Sequence, residues 1–292
     1  MSSPGNAIRW VLLAALLAST VLPPSLHGLP ASIDNPLVAL IIGELPVIFA
    51  LLHFASWTSW RTALTSFVII YVVAYAYEFA GTHTGLVFGN YYYSPTAIGP
   101  LVGEVPVLLP LGYFAMAYGA YVVTRLMLRN IGAKLTALQV VITAVTASLV
   151  MTWLDLVTDP IAATLFKKWV WEDGGSYFGV PVHNYIGWVV TTTTFFLIVT
   201  ALLNSRANTK LRARSRPANF YAQAIVLYAA YGLPVVLNPL LGRTGEIYDA
   251  MAMVAGLVIT VPVIIAASAL ATSQKFGVAN PDSADRAPHL PR

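Results

Sequence analysis

Trp153-Leu154-Asp155-Leu156-Val157-Thr158-Asp159-Pro160 closes a long apolar run, residues 136–157, with the length and character of a membrane-spanning helix. Asp155 and Asp159 are spaced i, i+4 and so share one helical face, about a turn apart. Pro160 is expected to stop the helix, because it has no N–H and disfavours helical backbone in the residue before it. Acids at the end of a hydrophobic helix are costly to keep, which makes them functional candidates. The plainer alternative is a pair of interfacial acids that cap loops or hold a basic side chain.

Working outward, the whole chain has this character. It is 58% hydrophobic and only 10% charged, with a mean hydropathy of +0.72. Soluble domains carry roughly 25% charged residues, so the expected class is all-α, a polytopic membrane helix bundle. The absence of cysteine excludes disulfides, thiolate nucleophiles, iron–sulfur clusters and thiolate zinc sites. The net charge of +4 does not imply nucleic acid, because the basic residues are spread along the chain and report orientation instead.

Apolar runs occupy 8–22, 36–56, 63–79, 105–128, 136–157, 184–204, 220–237 and 249–273. About eight transmembrane helices are therefore expected, in one integral-membrane domain over 1–273. The polar, Pro-rich tail 274–292 is expected to be disordered. The first run is read as a retained helix rather than a cleaved signal, since Pro23-Pro24 follows it and no clear Ala-x-Ala site does. With both termini cytoplasmic in the cell membrane, 13 of the 16 Lys and Arg fall on the inner side, and only Lys167, Lys168 and Arg243 fall outside. Apart from Asp282 and Asp285 in the tail, all acids then lie in outer loops or outer helix halves. That pattern reads as an acid-lined cavity near the outer leaflet.

Two outer loops carry unusual residues. The first runs from Glu78-Phe79-Ala80-Gly81-Thr82-His83-Thr84-Gly85 through Phe88-Gly89-Asn90-Tyr91-Tyr92-Tyr93-Ser94 to Gly103-Glu104-Val105-Pro106. Its glycines and aromatics suggest an ordered loop folded back on the bundle, since irregular backbone at membrane depth must be buried or line a cavity. Each of the three tyrosines, taken singly, reads as interfacial belt or packing. The second loop holds Trp169, Trp171, Glu172 and Asp173, and closes with His183-Asn184-Tyr185-Ile186-Gly187-Trp188. Both tryptophans read as interfacial anchors, and Asn184 as the N-cap of the next helix or a substrate contact. His83 and His183 read as loop hydrogen-bonders, and no metal site is assigned because no His-x-x-x-His spacing is present.

A carboxyl facing an apolar cavity resists ionisation, and a second carboxyl beside it adds to the effect. Such a group can deliver a proton at neutral pH. Glu78, Asp155 and Asp159 are placed for this. Proton delivery to an electron-rich alkene gives a tertiary cation that aromatic faces stabilise. Water then adds, and no redox cofactor enters.

Taken together, residues 77–85, Phe88–Tyr93, Gly103–Pro106, Asp155–Pro160, Trp169–Trp171 and Gly179–Trp188 resemble the carotenoid-biosynthesis membrane protein family, over roughly residues 36–270. This family includes archaeal bisanhydrobacterioruberin hydratases and bacterial carotenoid 1'-hydratases. The resemblance implies addition of water across a terminal C=C of an acyclic carotenoid, without a cofactor. The positions that match are Glu78, Asp155, Asp159, His183 and Asn184. Asp155 or Glu78 is assigned as proton donor, with Asp159 tuning it or positioning water. Tyr91, Trp153 and Trp188 are assigned as cavity walls, and His83, Glu104, His183 and Asn184 as further substrate contacts. A lipophilic carotenoid and membrane lipids are the expected partners, along with other carotenoid-pathway enzymes. Two other readings stay open. Asp155-x-x-x-Asp159 resembles half of a magnesium–diphosphate site of an intramembrane prenyltransferase, although no second Asp-rich motif is evident. The acids also suit a transporter's proton path, although no paired half-helices are seen.

Overall fold

The computed structural model describes residues 4–21, 36–94, 99–205 and 216–275. The polar tail, from residue 276 on, lies outside the described residues. Helices α1 (Pro4–Val21), α2 (Pro36–Trp57), α3 (Trp60–Thr84), α4 (Leu109–Met127), α5 (Ala137–Asp159), α6 (Val182–Asn204), α7 (Ala218–Val236), α8 (Glu246–Val258) and α9 (Thr260–Lys275) account for most of them. Four short strands, β1 (Tyr91–Tyr93), β2 (Leu101–Val102), β3 (Val105–Pro106) and β4 (Trp169–Trp171), lie in the connections. Among the described residues, five stretches are long and apolar enough to cross a membrane: Trp60–Thr84, Ala137–Leu165, Val182–Asn204, Ala218–Val236 and Glu246–Thr272.

The bundle is organised around α4. It packs against α2, α3, α5, α7 and α9, and 14 of its 19 residues are buried. Enclosure on all sides lets it carry tyrosines and even an arginine. Arg125 is fully buried, and its donors are satisfied by the Tyr121 hydroxyl at 2.9 Å, Asn130 Oδ1 at 2.5 Å and the Ala133 carbonyl at 3.1 Å. A buried cation survives only with such partners. The outer helices instead expose large apolar side chains, such as Val68 and Val72 on α3 and Leu257 and Ile264 near the C-terminal end. That is the pattern of a lipid-facing surface.

Local sequence explains where the helices begin and end. Ser59 caps α3 by accepting from the Thr62 amide, and Gly85 ends it in left-handed backbone that glycine adopts without strain. Thr136 and Gln139 form a reciprocal capping box at the start of α5. Two expectations are corrected. Pro160 does not stop α5; the chain continues as a π-helical turn over Pro160–Leu165. Proline's fixed φ is helical, and the wider turn re-pairs the backbone, with the Phe166 amide bonding the Ile161 carbonyl. The last apolar run is not one helix but breaks at Ile259 into α8 and α9. Pro262 explains this, because its ring clashes with the carbonyl four residues back, that of Val258, where α8 ends.

The two outer loops are joined. β1 and β4 pair antiparallel, with Tyr91 opposite Trp171, Tyr92 opposite Val170 and Tyr93 opposite Trp169. Asn90 adds a side-chain bond to Asp173 at 2.7 Å. Strand alternation then turns Tyr91 and Tyr93 inward and leaves Tyr92 exposed. β2 and β3 form a tight hairpin whose turn residues, Gly103 and Glu104, both have positive φ.

Candidate active site

Beneath the paired loops, α3, α4, α5 and α6 enclose a cavity of about 140 Å³. Three buried carboxyls face it: Glu78 from α3 and Asp155 and Asp159 from α5. Asn184, from the first turn of α6 and also buried, faces it as well, as does Thr158 of α5. The remaining walls are almost wholly aromatic and apolar, including Phe88, Trp169, Trp171, Leu109 and Met116.

The polar groups form two sets. In the first, Glu78 accepts from three phenols: Tyr91 at 2.5 Å and Tyr93 at 2.7 Å on one carboxyl oxygen, and Tyr113 at 2.5 Å on the other. In the second, Asn184 Nδ2 donates to Oδ2 of Asp155 at 3.1 Å and of Asp159 at 2.7 Å. One amide thus bridges the two aspartates. Their i, i+4 spacing puts both on the α5 face that packs against α6, so that one amide reaches both.

The aromatic groups are fixed as firmly. Tyr113 and Trp188 stack, with ring centroids 4.7 Å apart and planes 9° from parallel. Trp171 Nε1 donates to the Phe88 carbonyl at 3.0 Å, tying the second loop to the first. Burial pushes the Tyr91 and Tyr93 phenols well above the ordinary tyrosine range, and the nearby Glu78 carboxyl adds to this. Both hydroxyls therefore stay protonated and remain donors.

The cavity gathers Glu78, Asp155, Asp159, Tyr91, Asn184 and Trp188 from the sequence assignments. Four others lie elsewhere. Trp153 is half-buried against the main apolar core rather than in the cavity lining. His83 is exposed, stacks on Phe79 and bonds its carbonyl at 2.8 Å. His183 is exposed and holds the Leu86 carbonyl at 2.7 Å, so it fastens the first loop to α6. Glu104 is exposed in the hairpin turn and lines, with His83, a separate polar recess on the outer surface. Asn184 is not an N-cap; α6 starts two residues earlier, with Pro181 in the cap position and no side-chain cap. Sequence reasoning missed Tyr93 and Tyr113 and read Trp169 and Trp171 as membrane anchors. The Tyr-x-Tyr spacing held the signal for Tyr93, since a strand points both rings one way. For Tyr113 no local signal exists, because its contact with Glu78 is set by the packing of α3 on α4.

Comparison with known proteins gives the chain a family. The family described as "Carotenoid biosynthesis protein" matches residues 36–265. A bisanhydrobacterioruberin hydratase of Haloarcula japonica is 33% identical over 139 residues, which is 47% of this chain and 45% of that protein. The match thus spans less than half of that relative's length. No solved structure matches.

Proposed function

The chain belongs to the carotenoid biosynthesis protein family, and from that premise we propose that it is a carotenoid hydratase. It adds water across a terminal C=C of an acyclic carotenoid, as in conversion of bisanhydrobacterioruberin to bacterioruberin. The observation that carries this reading is the pairing of two aspartates bridged by one amide with a carboxyl held by three phenols, at a cavity walled by aromatic rings.

In this reading the Asp155–Asp159 couple delivers its proton to the alkene carbon that bears hydrogen, leaving a tertiary cation on the other. Asn184 holds the couple in place and supports the negative charge left behind. The Tyr113 and Trp188 faces stabilise the cation. Glu78 accepts three hydroxyl donors, which is the arrangement of a carboxylate rather than an acid. It therefore acts as a fixed counter-charge and not as the proton donor. Water adds to the cation, and its surplus proton returns to the aspartate couple. One water is consumed, no electrons are transferred, and no cofactor takes part.

The eight apolar stretches span the membrane, the last with a break at Ile259, and both termini are cytoplasmic. That places the cavity in the outer half of the bilayer, where a terminal carotenoid end enters from lipid. His183 and Glu104 act through the loops rather than on substrate.

The test is a pigment profile. The chain is expressed in a host that accumulates acyclic carotenoids with terminal double bonds, and extracts are separated with mass detection. More polar pigments, heavier by one or two waters and with an unchanged chromophore, are expected. Unchanged pigments despite membrane expression would overturn hydration of these substrates and turn attention to magnesium-dependent prenyl transfer.

A further inference from the structure

A second pocket, of about 200 Å³, lies on the far side of the segment that carries the aspartates. Thr158, between Asp155 and Asp159, lines both cavities. The second pocket is chemically opposite to the first: no carboxyl lines it. Its polar lining includes Lys168, Arg243, Asn238 and Tyr248, and its apolar lining includes Phe166 and Pro234.

Asn238 carries the inference. It is 1% exposed, and its Nδ2 has no hydrogen-bond partner. The amide's orientation is set by its other end, where Oδ1 accepts from Arg243 Nη1 at 3.4 Å. The backbone supports the same geometry, since the Asn238 carbonyl accepts the Arg243 and Leu241 amides at 2.9 and 3.1 Å. A buried amide donor without an acceptor is costly, so native structures leave few of them. Asn238 lines the pocket beside two cations, and no carboxylate among the described residues pairs with either. In the proposed topology Lys168 and Arg243 are also two of only three basic residues on the outer side. A lining of donors and positive charge lacks only an acceptor that is anionic.

We propose that this pocket binds a phosphate group, with Asn238 Nδ2, Arg243 and Lys168 as its donors. Two sources share this chemistry, a phospholipid headgroup and free phosphate. The position at the outer end of the bundle and the flanking Phe166, 60% exposed, suit a headgroup whose chains run down the outside of the protein.

The test uses the full chain purified in neutral detergent. Three probes are compared by native mass spectrometry and thermal unfolding: phosphatidylglycerol, diacylglycerol with the same chains, and inorganic phosphate. Phosphatidylglycerol is expected to be retained and to raise Tm, while diacylglycerol does neither. Lys168→Gln with Arg243→Gln should weaken retention about tenfold or more, and Lys168→Gln alone, at an exposed side chain, should weaken it while leaving the lipid-free Tm unchanged. Asn238→Leu, which removes the orphan donor, should weaken it as well. Protection by inorganic phosphate equal to that by the lipid would support the site and assign it to the free ion. Equal retention by wild type and the double variant, or no protection by either phosphate-bearing probe, would overturn the proposal.

Discussion

Tyr113 and Trp188 stack face to face across the α4–α6 boundary, 4.7 Å between centroids. The Tyr113 hydroxyl is pinned on Glu78, so the pair cannot swing away from the cavity without losing a buried bond. A cation forming there meets a π face, an attraction of about 2 kcal/mol or more once the cation is desolvated. Trp188→Leu should therefore slow hydration about 30-fold, and Trp188→Phe less. Conversion per unit of membrane-inserted protein measures this. Equal turnover in Trp188→Leu would take the ring out of the chemistry.

Asp155→Asn should abolish conversion, by roughly a hundredfold or more, while the protein still reaches the membrane. The amide is isosteric and still satisfies its neighbours, so the loss would report the missing proton rather than misfolding. Glu78→Gln should behave differently. It keeps the shape but replaces one acceptor oxygen with an NH2 facing phenol hydroxyls, so it should lower both Tm and turnover. Near wild-type turnover in Asp155→Asn would exclude Asp155 as part of the proton donor.

Much of this was legible in the chain because helix periodicity is local. The i, i+4 aspartates needed only the pitch of one helix to be placed together, whereas the break at Ile259 was missed because the run 249–273 is apolar throughout. Pro160 misled for another reason: proline forbids one hydrogen bond, and a π turn avoids needing it. What was not legible is non-local. The pairing of Tyr91 with Trp171 joins loops 80 residues apart in sequence, and three residues on either side carry too little pattern to announce a strand. His83 and His183 drew notice as rare polar residues in outer loops, yet both lie outside the cavity lining, and each holds a backbone carbonyl.

The phenols around Glu78 give a pH signature. Burial holds Tyr91 and Tyr93 above the ordinary tyrosine range in the folded state. Unfolded tyrosine ionises near pH 10, at about its reference value. Below that pH both states keep the proton, and the stabilisation is fully present. Above it the unfolded chain loses protons that the folded chain retains, so the stabilisation declines as pH rises. The Tm difference between wild type and the Tyr91→Phe/Tyr93→Phe double variant should be constant up to about pH 10 and shrink above it. A difference that instead grows with pH would mean the hydroxyls ionise more readily inside the protein than outside.

Gly187 tests whether the loops position the site. A Cβ there would overlap the Val87 carbonyl oxygen and meet Phe88 Cδ1 at 2.7 Å, both too close to accept. One is backbone, so the segment 86–88 has to move, against the grip of His183 on the Leu86 carbonyl. Phe88 lines the cavity, and its carbonyl holds Trp171, so displacement reaches two walls at once. Gly187→Ala should cost about 1–3 kcal/mol of stability and lower turnover further than that loss explains. Gly256→Ala is the control: it lies in α8, where an added Cβ would meet nothing within 4 Å, so the methyl should be neutral or slightly stabilising. If Gly187→Ala lowers Tm but leaves turnover per folded molecule unchanged, segment 86–88 supports the fold without shaping the cavity.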